Sequence, residues 1–99
     1  MARFKLTNKA VEDLENIWNY TFDRWSEEQA DKYYNTLIES CKEIANYPRL
    51  GKSYDGIAAN ILGVKVYRHI VFYRPLNESY VEIIRILHQR MDLKKRIIE

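Results

Sequence analysis

The sequence predicts an α+β fold, in which a helical hairpin packs on one face of a four-stranded, mainly antiparallel sheet. The first half of the chain carries apolar residues at three- and four-residue spacing, which is typical of amphipathic helices. The second half contains three short runs rich in valine, isoleucine and tyrosine, which are typical of strands. A brief alternating segment precedes the helices, so the predicted order is β-α-α-β-β-β. The chain has 99 residues, and we expect residues 1–99 to form a single domain with one shared core.

The first predicted strand lies in the segment ARFKLT, where Phe4 and Leu6 alternate with basic residues. Thr7 then offers a hydroxyl that can cap the first helix. A stripe of apolar residues follows at helical spacing: Val11, Leu14, Ile17, Trp18, Phe22 and Trp25. We expect this stripe to pack in the core, except for Trp25 at its end, which is equally suited to anchoring a partner.

The second predicted helix begins after Ser26, which forms a capping box with Gln29, and ends before Pro48, which lacks a backbone donor. Its apolar positions also follow one face, and Cys41 among them is expected to be a small core residue. The connection between the helices is short, so they are predicted to pack antiparallel with Trp25 at the tip.

Three predicted strands follow a loop rich in glycine and polar residues, YPRLGKSYDG. Their sequences are ILGVKVYR, HIVFYRP and YVEIIRILH. The last has apolar residues on both faces, which is typical of a central strand covered on both sides. Beyond Arg90, the segment MDLKKRIIE is predicted either to form a last helical turn capped by Asp92 or to stay mobile until a partner orders it.

The overall charge does not indicate a nucleic-acid-binding protein, because sixteen basic and fourteen acidic residues give a net charge of +2. The segment from Arg85 to Arg96 is locally basic, since it contains Arg85, Arg90, Lys94, Lys95 and Arg96 but one acidic residue, Asp92. The sequence has no glycine-rich phosphate loop, nucleophile elbow, paired cysteines or zinc-binding histidine motif. We therefore expect no metal site and no cofactor.

The remaining candidates for catalytic or anion-binding residues are histidines and arginines. His69 and His88 are candidates for a general acid or base, because histidine is the residue type suited to that role near neutral pH, but a lone histidine at a strand end is commonly structural. Arg85 lies inside the covered strand and needs a partner, which is an internal acid such as Glu82 or Asp92, an RNA phosphate, or an acidic protein segment. Strand alternation places His88 and Glu82 on the face opposite Arg85, so these groups are not expected to form one catalytic set.

Together these segments resemble the ParE toxins of bacterial toxin–antitoxin modules, within the RelE/ParE superfamily. The similarity runs from Leu6 to Asp92 and is most specific in HIVFYR and RILHQRMD. The resemblance implies a small toxin that poisons DNA gyrase and is held inactive, in a hetero-oligomer, by a ParD-like antitoxin. RelE-like members instead cut messenger RNA on the ribosome, so the fold alone does not decide the activity. A non-toxic relic that only binds its antitoxin is a third alternative.

The resemblance also implies site residues. An antitoxin segment is expected to bury an open face of the last strand and to pair its acids with arginines. The expected antitoxin-binding residues are Arg68, Val81, Ile83, Arg85, Leu87 and Arg90. The expected gyrase-binding residues lie at the hairpin tip and in the basic tail: Trp25, Met91, Lys94, Lys95 and Arg96.

A gyrase inhibitor needs no catalytic residue, and none is expected. For the nuclease alternative, the expected residues are His88, Arg68 and Arg90. Typical RelE-like nucleases carry a tyrosine shortly after the last strand, whereas no tyrosine occurs here after Tyr80.

The expected location is cytoplasmic, without a membrane partner, because the sequence shows no signal-peptide pattern and no apolar run near the ~20 residues of a membrane span. Direct sequence-specific binding to nucleic acid is not expected either.

Overall fold

The computed structural model describes residues 2–98. Its elements, in chain order, are β1 (Arg3–Leu6), α1 (Asn8–Arg24), α2 (Glu27–Asn46), β2 (Lys52–Ser53), β3 (Leu62–Val66), β4 (His69–Asn77), β5 (Tyr80–His88) and α3 (Leu93–Ile98). The described strands form one sheet in the order β1-β5-β4-β3-β2, in which β1 and β5 are parallel and the other neighbours antiparallel. The predicted α+β class, with a helical hairpin on a mainly antiparallel sheet, is confirmed.

The sheet has five strands, so the predicted number of four is wrong. The additional strand, β2, lies in the segment that the sequence predicts as a loop. It consists of Lys52 and Ser53, which pair with Gly63 and Leu62 of β3. Two residues are too few to show the alternating pattern by which strands are recognised in a sequence.

Both predicted N-caps are present. The backbone N–H of Ala10 donates to the Thr7 hydroxyl at 3.1 Å, and that of Gln29 donates to the Ser26 hydroxyl at 3.1 Å. Each cap satisfies a backbone donor that the first turn of a helix leaves without an intrahelical partner. Local sequence therefore determines where both long helices begin.

The apolar stripe of α1 is only partly buried, so the prediction that it packs in the core is partly wrong. Ala10 and Leu14 are buried against the sheet, whereas Val11 is 40% and Phe22 46% exposed. With 3.6 residues per turn, the buried and exposed apolar residues lie on adjacent sides of the helix. α1 packs through one of these sides and leaves the other in solvent.

Apolar side chains pack on both faces of the sheet. The first core cluster lies between the sheet and the α1–α2 hairpin, and its members include Leu14, Leu37, Cys41, Ile44, Val71, Val81 and Ile83. The second core cluster lies on the opposite face and consists of Ile61, Ile70, Phe72 and Leu87, with Tyr54, Leu93 and Ile97 among the residues packed against it. The prediction that the last strand is covered on both faces is confirmed, and the chain's own α3 and the loop around Tyr54 form the second cover. Cys41 is a core residue, as predicted, and burial raises the pKa of its thiol to about 12.

A β-bulge in β5 interrupts the alternation of its side chains. Phe72 pairs with Arg85 but Tyr73 pairs with Ile83, so Ile84 is an extra residue without a partner on β4. Beyond this point each side chain of β5 lies on the face opposite to the one that simple counting predicts. The bulge therefore changes which residues of the RILHQRMD segment lie together.

The bulge makes the predicted placement of His88 and Glu82 on one face wrong. His88 lies directly opposite His69, whose ring contacts Tyr33 of α2, so both histidines are on the helix-covered face. Glu82 lies between two residues of the first core cluster, so its side chain is on the other face and forms an ion pair with Lys5 at 3.4 Å.

Arg85 is buried and forms an internal ion pair, but its partner is Asp13 of α1 rather than the predicted Glu82 or Asp92. The two carboxylate oxygens accept from Arg85 Nε at 2.8 Å and Nη2 at 2.9 Å. One of them also accepts from the backbone N–H of Ile86 at 3.0 Å. β1 ends at Leu6, so the edge of β5 beyond Ile83 has no neighbouring strand, and α1 crosses it there. The Asp13 carboxylate thus satisfies both a buried cation and an edge donor.

Candidate functional site

The expectation that the antitoxin-binding residues of β5 lie on an open face of the sheet is wrong, while their role in antitoxin binding stays a prediction. Val81 and Ile83 have no exposed surface because the hairpin covers them, and Leu87 is 1% exposed because it lies in the second core cluster. Arg85 is 8% exposed and occupied by Asp13. A small chain buries both faces of its central strand because a single sheet otherwise leaves apolar residues in water.

Arg68, His88 and Arg90, in contrast, are brought together at one end of the sheet. Arg68 lies in the turn between β3 and β4, and its carbonyl accepts from the N–H of Gln89 at 2.9 Å. His88 ends β5, and Arg90 follows in the next turn. We call this region the turn end and define it as Tyr67, Arg68, His69, His88, Gln89 and Arg90. Both arginines are exposed.

Two further side chains, His69 and Tyr33, join this group. The Tyr33 hydroxyl lies 2.6 Å from His69 Nδ1, and the rings of His69 and His88 are 5.3 Å apart, edge to face. Burial, and then the neighbouring His88, lower the pKa of His69 to about 4, while Asp13 acts weakly in the opposite direction. Burial raises the pKa of Tyr33 to about 12, with Tyr67 contributing. His69 is therefore neutral at pH 7.

His88 is held by a backbone contact of its own. Its Nδ1 lies 3.1 Å from the N–H of Arg90, which donates to it. This bond requires an unprotonated Nδ1, so the proton of the neutral ring is on Nε2. The sequence shows a histidine between arginines, but the facing histidine becomes visible only when β4 and β5 are paired.

Tyr67 has an unusual backbone conformation. It is the first residue of the two-residue turn between the paired residues Val66 and His69, and its φ is 54°. Glycine, asparagine and aspartate are the residues usually found with such a φ in a hairpin turn, and another residue there costs about 1–2 kcal/mol. The ring is 74% exposed and touches Tyr33 edge-on, with centroids 6.0 Å apart. No pattern in the sequence indicates this residue as part of a site.

The basic tail is helical in the described residues, which is the first of its two predicted alternatives. The Asp92 carboxylate accepts from the N–H of Lys95 at 3.1 Å and caps α3. Leu93 and Ile97 pack against the second core cluster, and Arg85 donates from Nη1 to the carbonyl of Arg96. A shallow cavity of about 450 Å³ is lined by Met91, Asp92, Lys95 and Arg96. The predicted tail residues are thus exposed: Lys94, Lys95 and Arg96 lie on a helix that is docked on the sheet, and Met91 lies just before it.

Trp25 lies on a different surface. It is 76% exposed in the turn between α1 and α2, as expected for the tip of the hairpin. Asp13, which contacts β5, precedes Trp25 by twelve residues, or about 18 Å along the axis of a helix. The predicted gyrase-binding residues therefore form two separate patches.

Acidic and basic residues are segregated between the layers of the fold. Residues 8–46, which contain α1 and α2, carry nine acidic and four basic residues, whereas the rest of the chain carries five acidic and twelve basic residues. The hairpin thus has a formal charge of −5 and the remainder +7. The net charge of +2 hides two surfaces of opposite sign, which suit partners of opposite charge.

Two kinds of site or element were not found in the part of the chain that the structure describes. Residues 2–98 contain no cluster of three or more histidine, cysteine, aspartate or glutamate side chains arranged to hold a metal ion. In the same range, no helix combines the length and the apolar composition needed to cross a membrane.

Comparison with known proteins gives a consistent result. The family described as "ParE toxin of type II toxin-antitoxin system, parDE" matches residues 4–93. "Toxin ParE1" of Caulobacter vibrioides is 35% identical over 97 residues, which cover 98% of this chain and 99% of that protein. "Toxin ParE1" of Mycobacterium tuberculosis is 34% identical over 96 residues, which cover 97% of this chain and 98% of that protein.

Two solved structures share the fold. A chain of the chromosomal ParDE system from P. aeruginosa superimposes with a TM-score of 0.76 at 20% identity, covering 89% of this chain and 96% of that chain. A chain of the toxin–antitoxin complex RelBE2 from Mycobacterium tuberculosis gives 0.67 at 18% identity, covering 89% of this chain and 98% of that chain. Since one is a ParDE and the other a RelBE system, the shared fold does not distinguish their activities.

Proposed function

This chain belongs to the ParE toxin family of type II toxin–antitoxin systems, and from that premise we propose that it inhibits DNA gyrase and is held inactive by a ParD-like antitoxin. The observation that carries the proposal is the family match over residues 4–93, which runs from the second residue of β1 to the first residue of α3. Relatives named ParE1 match over nearly the whole of both chains.

The gyrase contact is proposed at the two exposed patches. Trp25 offers a large aromatic side chain at a protruding turn, which is the kind of residue that dominates protein interfaces. Met91, Lys94, Lys95 and Arg96 present an apolar side chain and positive charge on and next to α3. Two patches separated along the molecule suit a large partner that contacts both.

A supercoiling assay with purified gyrase tests the activity. We expect inhibition at a stoichiometric amount of the chain, with accumulation of cleaved DNA. Absence of both effects, with growth arrest still observed on expression, would show that the target is not gyrase.

The same assay tests the patches by substitution. Trp25→Ala, and the pair Lys94→Gln with Lys95→Gln, should each reduce inhibition at least ten-fold. Tyr47→Ala is the matched control, since Tyr47 is an aromatic residue of similar exposure, 66%, that belongs to neither patch. Equal inhibition by all variants would contradict the assignment of the patches while leaving the target unchanged.

Deletion of Met91–Glu99 is expected to abolish toxicity while antitoxin binding persists. The deletion also removes Leu93 and Ile97 from the second core cluster, so it changes the fold as well as the charge. The substitutions at Lys94 and Lys95 avoid this, because both side chains are exposed. They are the sharper test of the tail.

The antitoxin is proposed to bind at least through Arg68 and Arg90, which are the exposed members of the expected set. An acidic antitoxin segment would complement both guanidinium groups at the turn end. The solved relatives are a ParDE and a RelBE system, which supports a partner of this kind. Arg68→Glu with Arg90→Glu should weaken antitoxin affinity at least ten-fold in a titration, and unchanged affinity would move the contact elsewhere.

A ribosome-dependent mRNA endonuclease is the second candidate. The observation that favours it is the convergence of Arg68, His88 and Arg90 at the turn end, beside His69 and Tyr33. Cations for the phosphate and a proton-transferring histidine are the groups that metal-free RNA cleavage requires. Cleavage of mRNA at ribosomal A sites, lost in His88→Ala and without any effect on gyrase, would establish this candidate instead.

Expression without growth arrest would favour a non-toxic relic.

A further inference from the structure

The turn end and the start of the tail carry cations that have no acidic partner among residues 2–98. Ion pairs among residues 2–98 join Lys5 to Glu82, Lys42 to Glu39 and Arg85 to Asp13. None of these pairs includes Arg68, Arg90, Lys94 or Lys95, and all four of these side chains are exposed. The nearby carboxylate, that of Asp92, accepts from the backbone of Lys95 as a helix cap.

Backbone hydrogen bonds connect the segments that carry these four cations. The hydrogen bond from Gln89 to the Arg68 carbonyl holds the Arg68 turn against the Arg90 turn. The N–H of Met91 donates to the His88 carbonyl at 3.0 Å, and this turn leads directly into α3 with Lys94 and Lys95. Positive charge is thus carried by three adjoining segments, all in the part of the chain outside residues 8–46, which has a formal charge of +7.

Tyr67 adds a flat aromatic surface beside Arg68. Its φ of 54° is a conformation that glycine adopts without steric cost, yet the position holds a tyrosine whose ring is 74% exposed. The ring contributes little to either core cluster, since its aromatic contact is one edge of Tyr33. Residues kept in unfavourable backbone conformations are concentrated at functional sites.

From this arrangement we propose that the turn end binds single-stranded DNA without sequence preference, with Arg68, Arg90, Lys94 and Lys95 on the phosphates and a base stacked on Tyr67. Exposed cations together with an exposed aromatic ring are the combination by which proteins hold single strands. A base is free to stack only when it is unpaired, so the aromatic ring favours a single strand over a duplex. Binding of this kind is compatible with the expectation that sequence-specific recognition is absent.

The choice of DNA rather than RNA rests on the proposed function, since gyrase holds and cleaves DNA. A toxin that contacts a strand near the cleaved site would gain affinity for the DNA-bound form of the enzyme. Binding to a single strand does not itself require gyrase, so the two can fail separately.

Fluorescence anisotropy with a labelled 20-nucleotide oligothymidine and the full chain tests the proposal. We expect micromolar binding at 50 mM salt that weakens with a log–log slope of about −3, from four phosphate contacts at about −0.7 each. Arg68→Gln with Arg90→Gln should lower this slope to about −1.5. The matched control, Arg24→Gln with Lys32→Gln, removes the same charge from the acidic hairpin and should leave the slope unchanged.

Tyr67→Gly separates a binding role from a structural one. Glycine relieves the backbone strain, so the variant should unfold at the same or a higher temperature than the wild type. Loss of the stacked base should nevertheless weaken oligothymidine binding at least five-fold. Weaker binding together with unchanged or increased stability supports the proposal, whereas unchanged binding overturns the role of Tyr67.

The remaining outcomes each contradict the proposal. No binding at 50 mM salt, or binding equal in the turn-end and control variants, would exclude the site. Tighter binding to a 20-base-pair duplex, to oligouridine RNA or to polyglutamate would assign the surface to a different partner. Inhibition of gyrase by a chain that does not bind oligothymidine would overturn this inference and leave the proposed function standing. Binding of oligothymidine by a chain that does not inhibit gyrase would overturn the proposed function and leave single-strand binding standing.

Discussion

At the scale of single residues, Asp13 connects three parts of the molecule. Its carboxylate lies on α1, accepts both the Arg85 guanidinium and the N–H of Ile86, and is almost as buried as Arg85. Arg85 in turn donates to the carbonyl of Arg96 in α3. The pair thus joins the hairpin, the central strand and the C-terminal helix on which the basic patch lies.

Asp13→Ala should lower the free energy of unfolding by about 3–5 kcal/mol, because it leaves a buried guanidinium without its counter-ion. Urea denaturation at pH 7 measures the difference. Glu39→Ala is the control, since the exposed Glu39–Lys42 pair at 3.1 Å should contribute less than about 0.5 kcal/mol. Equal effects in the two variants would mean that the Asp13–Arg85 pair does not stabilise the fold.

His69 makes the stability dependent on pH. Its pKa in the folded chain is about 4, lowered by burial and by His88, whereas an unfolded histidine has a pKa of about 6.5. Between these values the unfolded chain binds the extra proton, so stability falls as the pH decreases from about 6.5 to 4. His69→Gln should reduce this loss, measured as the difference in urea midpoint between pH 7 and pH 4.5. A variant with the same pH dependence as the wild type would show that another group is responsible.

At the scale of elements, the loop between α2 and β2 is held by Tyr73 rather than by regular secondary structure. The buried Tyr73 hydroxyl donates to the carbonyl of Pro48 at 2.8 Å and accepts from the N–H of Gly51 at 2.9 Å. A Cβ at Gly51 would lie 2.8 Å from that hydroxyl and 2.9 Å from the carbonyl of Gly63. The close approach explains a glycine at this position, immediately before β2.

Tyr73→Phe should lower the free energy of unfolding by about 1–3 kcal/mol, because two backbone groups of the loop lose their partner. Tyr47→Phe removes a hydroxyl from an exposed ring and should change stability by less than about 0.5 kcal/mol. Thermal or urea unfolding compares the two. If Tyr73→Phe is as stable as Tyr47→Phe, the hydroxyl does not hold the loop.

At the scale of the whole molecule, the sheet is covered by the hairpin on one face and by α3 and a loop on the other. α3 has only six residues, so it depends on packing and on the Arg85 contact rather than on its own helical propensity. Its apolar side, with Leu93 and Ile97, covers the second core cluster while its lysines remain exposed. Docking of α3 is therefore what fixes the position of the basic tail.

Ile97→Ala should destabilise the chain by about 1–2 kcal/mol, whereas Ile98→Ala should have an effect below about 0.5 kcal/mol because Ile98 is 69% exposed. Hydrogen exchange of α3 and of the Leu87 region should quicken in the first variant alone. Similar exchange in both variants would mean that α3 is not held by the second core cluster.

Local sequence determined the fold class and most of the secondary structure of this protein. Thr7 and Ser26 define the helix starts through short-range hydrogen bonds, and Pro48 limits the second helix, so the hairpin was predictable. The α+β class, the strands β3 to β5 and the family resemblance follow from patterns within each segment. The exposure of Trp25 and of the tail lysines was also predictable, because these residues lie at the ends of elements.

The tertiary structure decided what depends on contacts between distant segments. A single bulge at Ile84 reversed the face of every later residue in β5. His88 therefore lies beside His69, and the prediction that it shares a face with Glu82 is wrong. Asp13 lies 72 positions from Arg85, so counting along either segment could not identify it as the partner. Val81, Ile83 and Leu87 were expected to await an antitoxin but are buried by the chain itself. Segment patterns show that a side chain needs burial, and only the assembled fold shows which segment buries it.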